Sequence, residues 1–187
     1  MKKNTKIYAL GIVLAEVVGA LSGWLSREGM KIYETSITQP PLSPPPLLFP
    51  IVWGILYALM GISSVRIYLS PESRERSRGL NVYIIQLIVN FFWSLIFFNA
   101  QAFGFAFFWL LLLWILVLWM ILLFHKTDPL AAKLQIPYLL WLTFALYLNL
   151  GVWYLNPLLI DHTVCFARPS FCAEGLLIGL ANPLHLW

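Results

Sequence analysis

Two of the nine tryptophans in this 187-residue chain stand in matching surroundings. One lies in Phe49-Pro50-Ile51-Val52-Trp53, with Tyr57, Met60 and Ser64 following at helical spacing. The other lies in Pro137-Tyr138-Leu139-Leu140-Trp141, followed by Phe144, Ala145 and Leu148. A proline within a helix removes a backbone donor, so each segment is expected to kink one turn before its Trp. Aromatics at helical spacing ordinarily serve packing. Two kinked helices that each present a buried Trp also suit a pocket for a flat apolar ligand. A second group is Gln86, Asn90 and Ser94, which share one helical face. Polar groups in an apolar helix avoid lipid, so this face turns inward, to bond a neighbouring helix or to touch a ligand. Glu16 is the one acid inside an apolar run. It is either a protonated acid bonded to a neighbour or a functional group.

Little else is arranged for catalysis. No Ser, His and Asp stand in a recognisable order, and there is no phosphate loop or paired-carboxylate motif. Cys165, Cys172, His162 and His185 share the C-terminal tail, but their spacing fits no usual zinc pattern, and no metal is expected. A Cys165–Cys172 disulfide and two free thiols are both open.

The elements that must position these residues follow from composition. Hydrophobic residues make up 60% of the chain and charged ones 11%, with a mean hydropathy of +0.80. A soluble domain has about half and a quarter respectively. The apolar excess needs a bilayer, and an aromatic share of 16% suits interfacial belts. Basic residues outnumber acidic ones by 12 to 8. In such a chain that bias speaks to topology, and no nucleic-acid partner is expected.

Runs long enough to span predict helices at about 7–26, 47–69, 80–98, 105–124 and 129–155. Residues 79–125 contain no Asp, Glu, Lys or Arg, which is too long for one helix. The turn formers and glycine of residues 99–104 break the run. No segment alternates with period two, which excludes a β-barrel. The fold class is therefore an all-α membrane protein, a five-transmembrane-helix bundle over residues 1–156. A tail at 157–187 follows, whose apolar run at 175–181 is too short to span.

With five spans, Lys2, Lys3, Lys6, Arg66, Arg74, Arg76, Arg78, Lys126 and Lys133 fall on one side. Arg27, Lys31 and Arg168 fall on the other. The positive-inside rule puts the N-terminus in the cytoplasm and the C-terminus outside. A cleaved signal peptide ending near Val18-Gly19-Ala20 is the competing reading of the first span. Ala15, Gly19 and Gly23 form a small-residue seam, for packing within the bundle or for a homodimer.

Taken together, the motifs resemble the TspO/MBR family, the tryptophan-rich sensory or translocator proteins, also called peripheral benzodiazepine receptors. The resemblance rests on Pro40-Pro41-Leu42-Ser43-Pro44-Pro45 and on Phe49 to Gly61. It rests also on Asn90-Phe91-Phe92-Trp93-Ser94 with Phe97-Phe98, and on Pro137 to Ala145 with Leu148-Asn149. It implies a five-helix bundle, often dimeric, whose pocket lies among the helices beneath the first loop, here about 27–46. The implied ligand is a porphyrin or another flat apolar molecule, with no cofactor required. By matching position, Trp53, Tyr57, Asn90, Trp93, Trp141 and Ala145 are the implied ligand-binding residues, Ala145 by leaving room. Trp53 and Trp141 would also act if the porphyrin is broken down in light and oxygen. Sensing, disposal, breakdown and transport of the ligand are the roles open to such a protein. Gln39 stands where the family commonly has Lys, and the C-terminal sterol motif of animal members is absent.

Overall fold

A computed structural model describes residues 2–157, with side chains from Asn4 onward. Cys165, Cys172, His162, His185 and the apolar run at 175–181 lie outside the described residues. Among the described residues, five helices are long and apolar enough to cross a membrane. In chain order the helices are α1 (Lys2–Ser36), α2 (Leu48–Leu69), α3 (Arg74–Ser94), a π-helix (Leu95–Asn99), α4 (Phe103–Thr127), α5 (Pro129–Lys133) and α6 (Ile136–Leu155). The chain is an all-α membrane protein.

The surface pattern is that of a bundle in lipid. On α1, Leu10, Val13, Leu14, Val17, Leu21 and Trp24 are exposed at helical spacing, and Phe105, Phe108, Leu112, Ile115, Trp119 and Leu122 do the same on α4. The opposite face of α1 carries small residues, which let helices approach closely. Ala15 is buried, Gly11 abuts Gly61 and Val65 of α2, and Gly19 abuts the Tyr57 ring. A Cβ on Gly61 would lie 2.6 Å from Ile12 Cα, so α1 and α2 touch through backbone. Within the chain this small-residue face is taken up by α2. Gly23 is different, since a Cβ there would meet nothing within 4 Å.

Helix α4 packs against α3 and α6. It is pinned by Trp109 Nε1, which donates to Val89 O at 2.8 Å, and by Trp114 Nε1, which donates to Thr143 Oγ1 at 3.0 Å. At the N-terminal side of the bundle, Asp128 accepts from the Leu130 and Ala131 amides and so caps α5. The same carboxylate takes the Arg66 guanidinium at 2.8 Å, which ties α2 to the α4–α5 turn. Ser73 caps α3 by accepting from the Arg76 amide.

Several boundaries differ from those expected. Helix α1 continues ten residues past Ser26, because Arg27, Glu28, Lys31 and Glu34 stand on a helix that has already left the apolar layer. Helix α3 begins at Arg74 rather than near 80 for the same reason. Pro50 and Pro137 do not kink their helices. Pro50 lies in the first turn of α2, and Pro137 is the second residue of α6. First-turn amides have no intrahelical partner, so a proline there loses no hydrogen bond and starts the helix. The fifth span is broken into α5 and α6 at residues 134–135.

Candidate ligand cavity

A cavity of about 580 Å³ opens between α1, α2, the α3–π junction and α6, under the loop at residues 37–47. That is within the ordinary range for small-molecule sites, about 300–1,000 Å³. Helix α4, the most apolar of the five spans, contributes no lining residue.

The walls are aromatic. From α2 come Phe49, Trp53 and Tyr57. Trp53 lies 5.5 Å from the Tyr57 ring and meets Tyr138 edge-on at 6.1 Å. From α3 and the π-helix come Trp93, Phe97 and Phe98. Trp93 stacks on Phe97 at 5.2 Å, and Phe97 meets Phe98 at 4.9 Å. The π-helix lines the cavity with both of its consecutive phenylalanines, and π turns often occur at functional sites. Asn99 Nδ2 ties it to α1 by donating to Leu25 O at 2.9 Å. Tyr33 of α1 closes this cluster, 5.4 Å from Phe97 and 5.5 Å from Phe98. Helix α6 supplies Ala145, Leu148 and Asn149. The methyl of Ala145 keeps that wall thin.

Behind the walls lie the residues that hold them. Asn90 Nδ2 donates to the Tyr57 hydroxyl at 3.1 Å, and the Tyr138 hydroxyl donates to Gln86 Oε1 at 3.1 Å. So the polar stripe on α3 divides. Gln86 and Asn90 are buried and bind neighbouring helices, whereas Ser94 lines the cavity. Glu16 lines it too.

The loop forms the cover. Asn156 holds it by accepting from the Thr38 amide at 3.0 Å and donating to Thr38 O at 2.9 Å. Tyr147 donates to Pro41 O at 2.9 Å, and Pro40 rests on Gly151. Leu42 takes a positive φ of 67°, in the turn closed by Ser43 N donating to Pro40 O. At the rim stand Arg27, Lys31 and Glu34. Glu28 pairs with Arg27 and with Lys31, each at 3.3 Å. These ion pairs are exposed and hence weak, so both cations can exchange partners.

Of the residues singled out from the sequence, Trp53, Tyr57, Trp93 and Ala145 line the cavity. Asn90 stands one layer back, behind Tyr57. Trp141 is outside the lining. It packs against Phe49 at 5.9 Å and Phe144 at 5.6 Å, and reaches the cavity through Phe49. Sequence reasoning left out Phe49, Phe97, Phe98, Tyr33, Ser26 and Asn149. All but Tyr33 and Ser26 fall in the motif segments, where only the aromatic and amide types marked them. Among the described residues no three His, Cys, Asp or Glu cluster as metal ligands would.

A model of the TspO/MBR family matches residues 11–155. The sequence is 36% identical over 149 residues to the Translocator protein of Ovis aries, covering 78% of this chain and 88% of that relative. It is 38% identical over 123 residues to Protein CrtK of Rhodobacter capsulatus, covering 65% and 77%. It is 34% identical over 158 residues to the Tryptophan-rich protein TspO of Chlorobaculum tepidum, covering 84% of this chain and 100% of that relative.

Proposed function

Since the chain belongs to the TspO/MBR family, we propose that this integral membrane protein binds a porphyrin, or a similarly flat apolar molecule, in the cavity under the 37–47 loop. Its role is then sensing or disposal of that ligand. The observation that carries the reading is the aromatic lining of the cavity, Trp53 with Tyr57 from α2 and Trp93 with Phe97 and Phe98 from the α3–π segment. Rings of this kind stack on an extended π-plate. A porphyrin also carries two carboxylates on one edge. Arg27 and Lys31 stand at the rim with only weak partners, and support the placement of that edge toward water.

The test is a titration of the detergent-purified protein with protoporphyrin in the dark, followed by Trp quenching. Wild type should saturate at one site. Trp53→Phe should weaken binding by about three- to tenfold, the scale of a lost stacking contact. Trp141→Phe should weaken it less, because that ring acts through Phe49. A folded protein that shows no saturable binding would overturn the reading.

Light- and oxygen-dependent breakdown is a second reading, favoured by the place of Trp53 in the lining. Product formed on illumination by wild type, and absent in Trp53→Phe, would distinguish an enzyme from a binder.

We place the protein in a bacterial cell membrane, with the N-terminus in the cytoplasm and the 37–47 loop outside. Bacterial relatives support the membrane, and the asymmetry of Lys and Arg between the two sides supports the orientation. Reporter fusions at residue 71 and within residues 40–46 would read the two sides directly.

A further inference from the structure

Buried polar side chains in proteins almost always have a hydrogen-bond partner. Three that line the cavity have none. They are Ser26 Oγ of α1, Trp93 Nε1 of α3 and both amide atoms of Asn149 of α6. Ser26 and Asn149 are 0% exposed and Trp93 is 7% exposed. The other unpartnered amide, Gln135, lies between α5 and α6, outside the lining. The three cavity groups come from three helices and stand in the half of each span nearer the 37–47 loop. An indole N–H can only donate, while the hydroxyl and the amide can donate or accept. In otherwise apolar surroundings the Trp93 N–H therefore requires an acceptor, and the Ser26 hydroxyl and Asn149 amide beside it can serve in either role.

We propose that Ser26, Trp93 and Asn149 form a polar subsite that recognises a carbonyl-type oxygen (ketone, ester, amide or carboxyl) on the flat ligand. The inference rests on the reading of the cavity as a binding site and adds what selects among flat molecules. An apolar plate lacking an acceptor leaves the three groups without partners. A carbonyl oxygen on the plate would give the Trp93 N–H the acceptor it lacks, and the Asn149 amide and Ser26 hydroxyl are the further unpartnered groups in the lining. Discrimination of this kind is strong because the penalty falls on the molecule that lacks the group. It is separate from the rim cations, which act on charge.

The experiment uses two matched pairs of probes on the full chain in nanodiscs. One pair is protoporphyrin dimethyl ester and etioporphyrin, which carries alkyl groups alone. Neither is charged, so Arg27 and Lys31 do not distinguish them. The other pair is fluorenone and fluorene, which differ by one carbonyl oxygen. Wild type should prefer the oxygen-bearing member of each pair by about tenfold, the scale of one or two hydrogen bonds. Asn149→Leu and Trp93→Phe should each reduce that preference several-fold, mainly by weakening the oxygen-bearing member. Asn149→Leu should also raise the melting temperature of the ligand-free protein by about 2–4 °C, since it removes an unpartnered buried amide. A purely structural asparagine would lower it.

Equal binding of both members of each pair by wild type overturns the subsite and leaves the porphyrin reading standing. So does a preference that survives in both variants. If neither porphyrin binds while fluorenone outcompetes fluorene, and the difference goes in Asn149→Leu, the subsite stands and the porphyrin reading falls. If no probe binds, both fall.

Discussion

Gly19 and Gly23 look alike in the sequence, one turn apart on α1, yet alanine should act oppositely at the two positions. A Cβ on Gly19 would lie 2.8 Å from Tyr57 Cζ and nearer still to the ring-edge carbons. Ordinary carbon contacts are about 3.5–4.0 Å, so the ring or the helix must give by on the order of 1 Å. The ring has little room to do so. Tyr57 is 6% exposed, faces Trp53 at 5.5 Å and is held by Asn90 at 3.1 Å. A shift of that size away from Asn90 stretches the bond beyond useful length. Losing it and straining the contact together should cost about 2–4 kcal/mol. Gly23→Ala meets nothing within 4 Å and gains helix propensity, about 0.5–1 kcal/mol by the soluble-helix scale. The assay is thermal unfolding of both variants in one detergent, with protoporphyrin titration alongside. Gly19→Ala should melt well below wild type and bind more weakly, because Tyr57 is a cavity wall. Gly23→Ala should melt at or above it. If Gly19→Ala melts with wild type and binds unchanged, α1 does not approach Tyr57 as closely as described, and the reasoning fails.

Two further outcomes are expected. Arg66 and Asp128 are half-buried partners at 2.8 Å, so Asp128→Asn, which keeps an oxygen to cap α5, should cost about 1 kcal/mol. Asp128→Ala also loses the cap and should cost about 2 kcal/mol, and a double-mutant cycle with Arg66→Ala by chemical unfolding should return a coupling near 1 kcal/mol. Asn156→Ala removes both bonds to Thr38 and frees the cavity cover, so ligand dissociation measured by stopped-flow should quicken by about tenfold while melting changes little.

The five spans were legible because hydropathy depends on composition, which no tertiary contact alters. The ends of α1 and α3 were not. Charge marks where the bilayer stops, whereas a helix stops only where its backbone bonds do, and Arg27 or Arg78 can stand on a helix in water. Pro50 was read as a kink and not as a first-turn residue, because Leu47, Leu48 and Phe49 before it are as apolar as the rest of α2. The candidate site was legible in part. Trp53 and Tyr57 stood out by type and spacing, and Trp93 and Ala145 by the resemblance to the family. Trp141 occupies the same spacing as Trp53, and only packing shows that Phe49 stands between it and the cavity. Spacing cannot show a π-helix either, so only the motif match marked Phe97 and Phe98. Nothing in the sequence separates Asn90, which has a partner, from Asn149, which has none.

The length of α1 has a consequence for how affinity is measured. Its 35 residues make a rod of about 52 Å, against an apolar layer of about 30 Å. The charged turn with Arg27, Glu28 and Lys31 therefore stands at headgroup height, and the rim of the cavity stands there with it. On the proposed reading, a flat apolar ligand would arrive at this rim already dissolved in the membrane, where it is far more concentrated than in water. The relevant concentration is moles of ligand per mole of lipid. A dissociation constant quoted per litre of solution folds in the partition coefficient, and it will rise as lipid or detergent is added, with no change in the protein.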